Sequence, residues 1–194
     1  MSHLKTTIRA IGSPINLVFC GLDYAGKTAM NIRMRTGKFV ANLKPTLAST
    51  MDSVTLVQDE ELVQAIIIDL GGQEALRDDW NVYIEKSDVV IFVIDGYDSS
   101  RFDEAKKEFQ QRIVPLTLNQ NIPCLIVCNK FDLIKTNSSE KDPSKLIHEV
   151  ENKIQAVLDV PKDEKFVILV TSQKTGYGLP KVTRIIREIL LSSK

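Results

Sequence analysis

FCGLDYAGKT, residues 19–28, closes an apolar run and fits the pattern G-x-x-x-x-G-K-[ST] from Gly21 to Thr28. The pattern has a mechanism only where a strand runs into the loop and a helix leaves it. INLVF (15–19) supplies the strand, and a helix can start at Lys27. Three fixed positions and one two-way choice recur by chance in on the order of one per cent of chains this long. The context therefore carries the weight. A plain strand-to-helix turn would explain the glycines, but not Lys–Thr in that register. Gly21, Leu22, Asp23, Tyr24, Ala25 and Gly26 form a cradle in which backbone N–H groups turn inward around a β-phosphate, helped by the helix dipole. Lys27 then reaches the β- and γ-phosphates, and the Thr28 hydroxyl binds Mg²⁺.

The rest of the chain supports such a loop. AIIID (65–69), VVIFVID (89–95), CLIVCN (124–129) and KFVILV (165–170) join INLVF as unalternating apolar runs. Runs of this kind are strands buried on both faces, as in a parallel sheet covered by helices. Helical patterns separate most of them. Ser100, three before Asp103, predicts a capping box for a helix over 101–113. Asp142 and Pro143 predict the start of a helix through Leu158. Val182, Ile185, Ile186, Ile189 and Leu190 share one apolar helical face. Between Ser53 and Asp69 two runs flank Gln58-Asp59-Glu60-Glu61, which predicts a hairpin and one antiparallel strand. IKTNSSEKD (134–142) is polar and is expected to be a surface loop. The prediction is one α/β domain over 14–194 with helices on both faces, preceded by an arm over 1–13.

Length and composition agree. The 194 residues suffice for one well-buried domain. Twenty-five basic and twenty-five acidic residues cancel, which argues against a nucleic-acid binder. No apolar run approaches a membrane span, and the first residues lack a signal-peptide core. Cys20, Cys124 and Cys128 lie in apolar runs and are expected to be reduced core residues of a cytoplasmic protein. Cys124 and Cys128 share a strand face without further ligands, so packing explains them better than a metal. His3 and His148 have no partners that suggest catalysis, and His148 is expected on a helix surface.

Which nucleotide the loop holds is read from three further stretches. NKFD (129–132) ends the run CLIVCN, where loops of an open α/β sheet face the ligand. Asp132 there can accept both N1–H and the 2-amino N–H of guanine, a donor pair adenine lacks. Asn129 would tie this loop to the phosphate loop, and the Lys130 stem would cover the base. TSQK (171–174) follows the last strand, and its backbone at Ser172, Gln173 and Lys174, centred on Gln173, would donate to guanine O6. Each tetrapeptide alone is a common polar turn, so their order and spacing decide. In IDLGGQE (68–74), Asp69 would hold Mg²⁺ through water, the Gly72 N–H would approach the γ-phosphate, and Gln73 would orient an attacking water. Thr46, in KPT (44–46), is placed to complete the Mg²⁺ shell. A turn threonine after Pro45 is the plainer alternative.

GLDYAGKT, PT, DLGGQ, NKFD and TSQK in this order resemble the small GTPases, over roughly residues 14–192. GLD-x-AGKT, DLGGQ and the spacing of Arg77, Trp80 and Tyr83 are similar to the ADP-ribosylation factor (Arf) and Arf-like branch. The resemblance implies a Ras-like P-loop fold with a six-stranded, mostly parallel sheet, binding of GTP and GDP with Mg²⁺, and slow hydrolysis with Lys27 and Gln73 as catalytic groups. It also implies an exchange factor, a GTPase-activating protein and an effector, in membrane traffic or effector recruitment. Residues 29–45 alone separate Thr28 from Thr46, too few for the helical domain and arginine finger of heterotrimeric G-protein α subunits. Unassisted turnover is therefore expected nearer ~10⁻⁴ s⁻¹ than ~10⁻² s⁻¹.

The chain also departs from the Arf pattern. It begins Met1-Ser2 where an Arf carries a myristate-accepting glycine, and no cysteine near its end invites prenylation, so no lipid anchor is expected. LASTMD (47–52) stands where an Arf has a glycine and an aromatic residue, Ile68 replaces a tryptophan, and Tyr24 replaces a small residue. Asp23 sets a carboxylate near the γ-phosphate, which would slow hydrolysis by repulsion. In HLKTTIRAIGSP (3–14), Leu4, Ile8 and Ile11 share a helical face beside Lys5 and Arg9. That arm is either an amphipathic segment released to a membrane in the GTP state or a short arm on the sheet. Three apolar residues without a lipid chain bind membranes marginally. Two rivals to a switch are a nucleotide-bound scaffold that never cycles and an ATP-dependent phosphotransferase, for which Asp132 is the wrong base reader.

Overall fold

The computed structural model describes residues 14–58, 61–134 and 143–192. The arm over 1–13, Asp142 and most of the loop after Ile134 lie outside these. The five apolar runs form strands β1 (Ile15–Cys20), β3 (Glu61–Asp69), β4 (Val89–Asp95), β5 (Cys124–Asn129) and β6 (Phe166–Val170). The predicted hairpin adds β2 (Thr50–Gln58), paired antiparallel to β3 from Thr50↔Asp69 to Gln58↔Glu61. The other pairings are parallel, and the strand order is β2-β3-β1-β4-β5-β6.

Helices cover both faces. Helices α1 (Lys27–Thr36) and α6 (Leu179–Ser192) bury Met30, Val182 and Ile186 against Leu17, Phe19, Ile91 and Val127. Ile185 and Ile189 pack at the edge of that cluster, as the helical face predicts. On the opposite face lie α2 (Trp80–Ile84), α3 (Phe102–Glu108) and α5 (Pro143–Leu158). There Phe109 stacks on Phe92 with centroids 5.2 Å apart and meets Phe166 edge-on at 6.0 Å. Each such buried side chain contributes about 1.5–3 kcal/mol. All three cysteines are free and buried in this second cluster. Burial pushes the Cys20 and Cys128 thiols up to about 12, so they behave as packing groups. His148 is exposed on α5.

Two local expectations fail at the helix over 101–113. The capping box does not form: a 3₁₀ turn, Ser99–Arg101, precedes α3, and the Ser100 hydroxyl donates to Asp98 Oδ1 at 2.5 Å. The helix also runs on past Ile113. A π turn, Phe109–Ile113, leads into α4 (Val114–Gln120), whose Pro115 sits in its first turn. Proline is tolerated there because first-turn N–H groups have no partner within their own helix.

Strand order reverses at β1, whose neighbours are β3 and β4. The crevice for a ligand in an open α/β sheet lies at such a point, outside the carboxyl ends of the strands. Gly21, Leu70, Lys130 and Thr171 all begin loops at those ends.

Candidate nucleotide site

Glycine at position 26 has a steric reason. It is the N-cap of α1 with φ 97°, and a Cβ there would lie 2.2 Å from Asn129 Nδ2. Only glycine lets Asn129 come in and donate to Ala25 O at 2.9 Å, the predicted tie between base loop and phosphate loop. The cap has no side-chain partner, and no acid sits in the first helical turn. The first N–H groups of α1 and the positive end of its dipole are therefore free for an anion.

Lys27 is buried, and its ammonium donates to Gly21 O (2.9 Å) and Leu22 O (2.8 Å). Burial lowers its pKa to about 8, with Asp69 the main opposing charge. Asp69 is fully buried, and neither carboxylate oxygen has a hydrogen-bond partner among the described residues. Burial pushes its carboxyl above the ordinary range, while Thr28 and Lys27 hold it back. Beside it the Thr28 and Thr46 hydroxyls meet at 2.8 Å. Two converging hydroxyls and a buried, unpartnered carboxylate form an all-oxygen donor set of the kind Mg²⁺ takes. The residues present fit that ion.

A cavity of about 480 Å³ opens beside these groups, within the usual size for a small-molecule site. Its phosphate end is walled by Asp23, Gly26, Lys27, Thr28 and Gly72, and its outer wall by residues 39–46. Asn129, Lys130, Asp132, Gln173 and Lys174 close the other end. Gly21, Leu22 and Ala25 belong to the loop but line no wall, and Ser172 stands behind Asp132, donating to its Oδ1 at 2.5 Å. Lys130 holds φ 62°, with its ammonium on Asp95 Oδ2 at 2.6 Å. The Gln173 N–H, expected to serve a base O6, also lies within reach of a side chain. It donates to Asn129 Oδ1 at 3.3 Å, because that oxygen sits at the junction of the two base loops. The Gln173 side-chain oxygen is buried and has no hydrogen-bond partner among the described residues.

Gly72 lies against the phosphate loop: a Cβ there would come within 2.3 Å of Asp23 N and 2.5 Å of Lys27 Nζ. Its turn is held from behind. Trp80 Nε1 donates to Gly71 O and Arg77 Nε to Gly72 O, both at 2.9 Å. Gln73 follows as a half-buried residue and lines no cavity wall. Tyr24 stands at the rim with φ 60° and 63% of its surface exposed.

Sequence reasoning misses two arginines. Arg101 donates to Asp23 O (3.0 Å) and Asp23 Oδ1 (2.7 Å), which offsets the charge expected to repel a γ-phosphate. Arg33 of α1 donates to Gln173 O, and to Lys174 O at 2.9 Å, bracing the base loop. No local signal marks either one, because the partners lie 78 and 140 positions away.

The model of the ADP-ribosylation factor family matches residues 2–189. ADP-ribosylation factor-like protein 4C of Homo sapiens is 34% identical over 70% of this chain and 70% of its own length. ADP-ribosylation factor-like protein 3 of Caenorhabditis elegans is 34% identical over 74% of this chain and 75% of its own. Among solved structures, the Arl6 small GTPase of Trypanosoma brucei with bound GppNp superposes with a TM-score of 0.64. That match is 22% identical and covers 91% of this chain and 96% of the other, a likeness of fold. Among the described residues no helix is long and apolar enough to cross a membrane.

Proposed function

The chain belongs to the ADP-ribosylation factor family of GTPases, and we propose that it cycles between GTP and GDP as a Mg²⁺-dependent switch. The observation that carries this reading is the meeting of the Thr28 and Thr46 hydroxyls at 2.8 Å beside the buried, unpartnered Asp69. Thr46 comes from the wall over 39–46, so that wall is fastened where a γ-phosphate and its metal would sit. When bound, Mg²⁺ would neutralise developing phosphate charge. Thr28, Thr46 and, through water, Asp69 would hold it. The N–H groups of Gly21 to Thr28 and the Lys27 ammonium bind the β- and γ-phosphates. Gly72 presents its N–H to the γ-phosphate, and Gln73, at the edge of the site, orients the attacking water. At the other end, Asp132, fixed by Ser172, accepts from guanine N1–H and its 2-amino group.

Residues 29–45 alone separate Thr28 from Thr46, too few for an inserted domain with an arginine finger, so hydrolysis is slow, nearer ~10⁻⁴ s⁻¹ than ~10⁻² s⁻¹, until an activating protein completes the site. The GTP form recruits an effector through residues 39–51 and 71–86. The protein works in the cytoplasm and meets membranes peripherally, in traffic or effector recruitment. Competition against a fluorescent GDP analogue tests the base assignment. GTP and GDP should displace it, removal of Mg²⁺ should speed its release, and ATP should compete at least ~10³-fold less well, since adenine offers the Asp132 carboxylate no matching donor pair. Equal competition by ATP contradicts the reading.

A further inference from the structure

A chain of alternating charges links the phosphate loop to the glycine turn from behind the cavity. Arg101 grips Asp23 through both of its terminal nitrogens, and its Nε donates to Glu104 Oε2 at 2.9 Å. The second Glu104 oxygen accepts from Arg77 Nη2 at 2.6 Å and from Arg101 Nη2 at 3.3 Å. Arg77 Nε then donates to Gly72 O at 2.9 Å. One carboxylate thus bridges two guanidinium groups, each holding one side of the γ-phosphate position. Arg77 is only 3% exposed, and its remaining nitrogen is satisfied by Glu108 Oε1 at 3.1 Å. Planar, charge-assisted bonds of this kind fix orientation as well as distance.

The glycine turn needs that fixing. Gly72 has no side chain to restrict its backbone, yet its N–H must face the γ-phosphate. That N–H shares a peptide plane with Gly71 O, which Trp80 holds, and the next plane is held through Gly72 O by Arg77. Arg77 in turn takes its position from Glu104 and Glu108. We propose that Glu104 is a positioning residue that couples the phosphate loop to the Gly71–Gly72 turn, so that both close around the γ-phosphate as one unit. The proposal rests on the GTP-switch reading. Glu104 lines no wall of the nucleotide cavity. GDP does not engage Gly72, so the coupling acts on GTP alone.

The test is binding of GDP and of a non-hydrolysable GTP analogue to the full chain with Mg²⁺, with melting followed in parallel. Glu104→Gln keeps size and removes the bridging charge. It should weaken the analogue roughly tenfold and GDP less than about twofold, the loss of one charge-assisted link. Arg101→Gln should do the same, and the double variant should be no worse than either single one, because all three break one link. Arg101 also serves as the second route should Glu104→Gln not fold. Equal weakening of GDP and analogue, or none, reduces Glu104 to a packing residue of α3 and overturns the proposal. Additive losses overturn it too. Wild-type protein that binds neither nucleotide overturns the switch reading and the proposal with it.

Discussion

Lys27 carries a charge into the interior with no acid bonded to it, only Gly21 O and Leu22 O. Its pKa of about 8 has a sign that can be checked. Between about 8 and the ordinary 10.5 the unfolded chain holds a proton that the nucleotide-free fold has lost, so stability of the free protein rises with pH across that window. Phosphates restore the ammonium, so above about 8 nucleotide binding must take up a proton, and affinity should fall by up to tenfold per pH unit. Calorimetry of GDP binding between about pH 7 and about pH 9, in buffers of different ionisation enthalpy, reads that uptake directly. Flat affinity without proton uptake would mean the lysine stays charged in the free site. Lys27 and Thr28 stand out in the sequence because one short loop with fixed backbone geometry carries both, and Asp69 because it ends an apolar run just before Gly71-Gly72. Arg101 and Arg33 do not, since guanidinium groups reach across elements and any surface arginine looks alike before folding.

At the level of elements, the edge strand β2 shows what holds the hairpin. Among the described residues it pairs only with β3, and its Asp52 accepts from Asn31 Nδ2 at 2.8 Å and from Arg35 Nη1, both on α1. Asn31 is buried. Because Thr50 pairs with Asp69, the register of β2 is tied to that buried carboxylate, and a one-residue slip would turn every β2 side chain over. Asp52→Ala should cost about 1–3 kcal/mol through the orphaned Asn31 amide. Amide exchange should quicken along β2 while β4 and β5 stay protected. Uniform exchange across the sheet would show that α1 does not latch the hairpin. Five strands follow from unalternating apolar runs, since strands buried on both faces leave that signature, and the edge strand β2 follows from the polar stretch over 58–61 that predicts a hairpin. The start of α3 and the π turn after it do not. Ser100 prefers a local bond to Asp98, and tertiary packing of Phe109 and Ile113, both fully buried, carries the helical path on past Ile113.

For the molecule as a whole, the site is assembled from five segments spread over most of the chain: four follow the carboxyl ends of β1, β3, β5 and β6, and the wall over 39–46 joins α1 to β2. Their order was legible because each loop carries its own chemistry, whereas the charge chain behind them emerges only when α3 docks beside the glycine turn. In a switch, nucleotide state, and not nucleotide presence alone, changes the surface. Hydrogen–deuterium exchange on the full chain, loaded with GDP or with a non-hydrolysable GTP analogue, tests this directly. Residues 39–51 and 71–86 should be more protected with the analogue, because Thr46 and Gly72 gain the metal and the γ-phosphate, while β4, β5 and β6 exchange alike in both states. Identical protection in both states would contradict a switch and leave a scaffold that merely keeps its nucleotide.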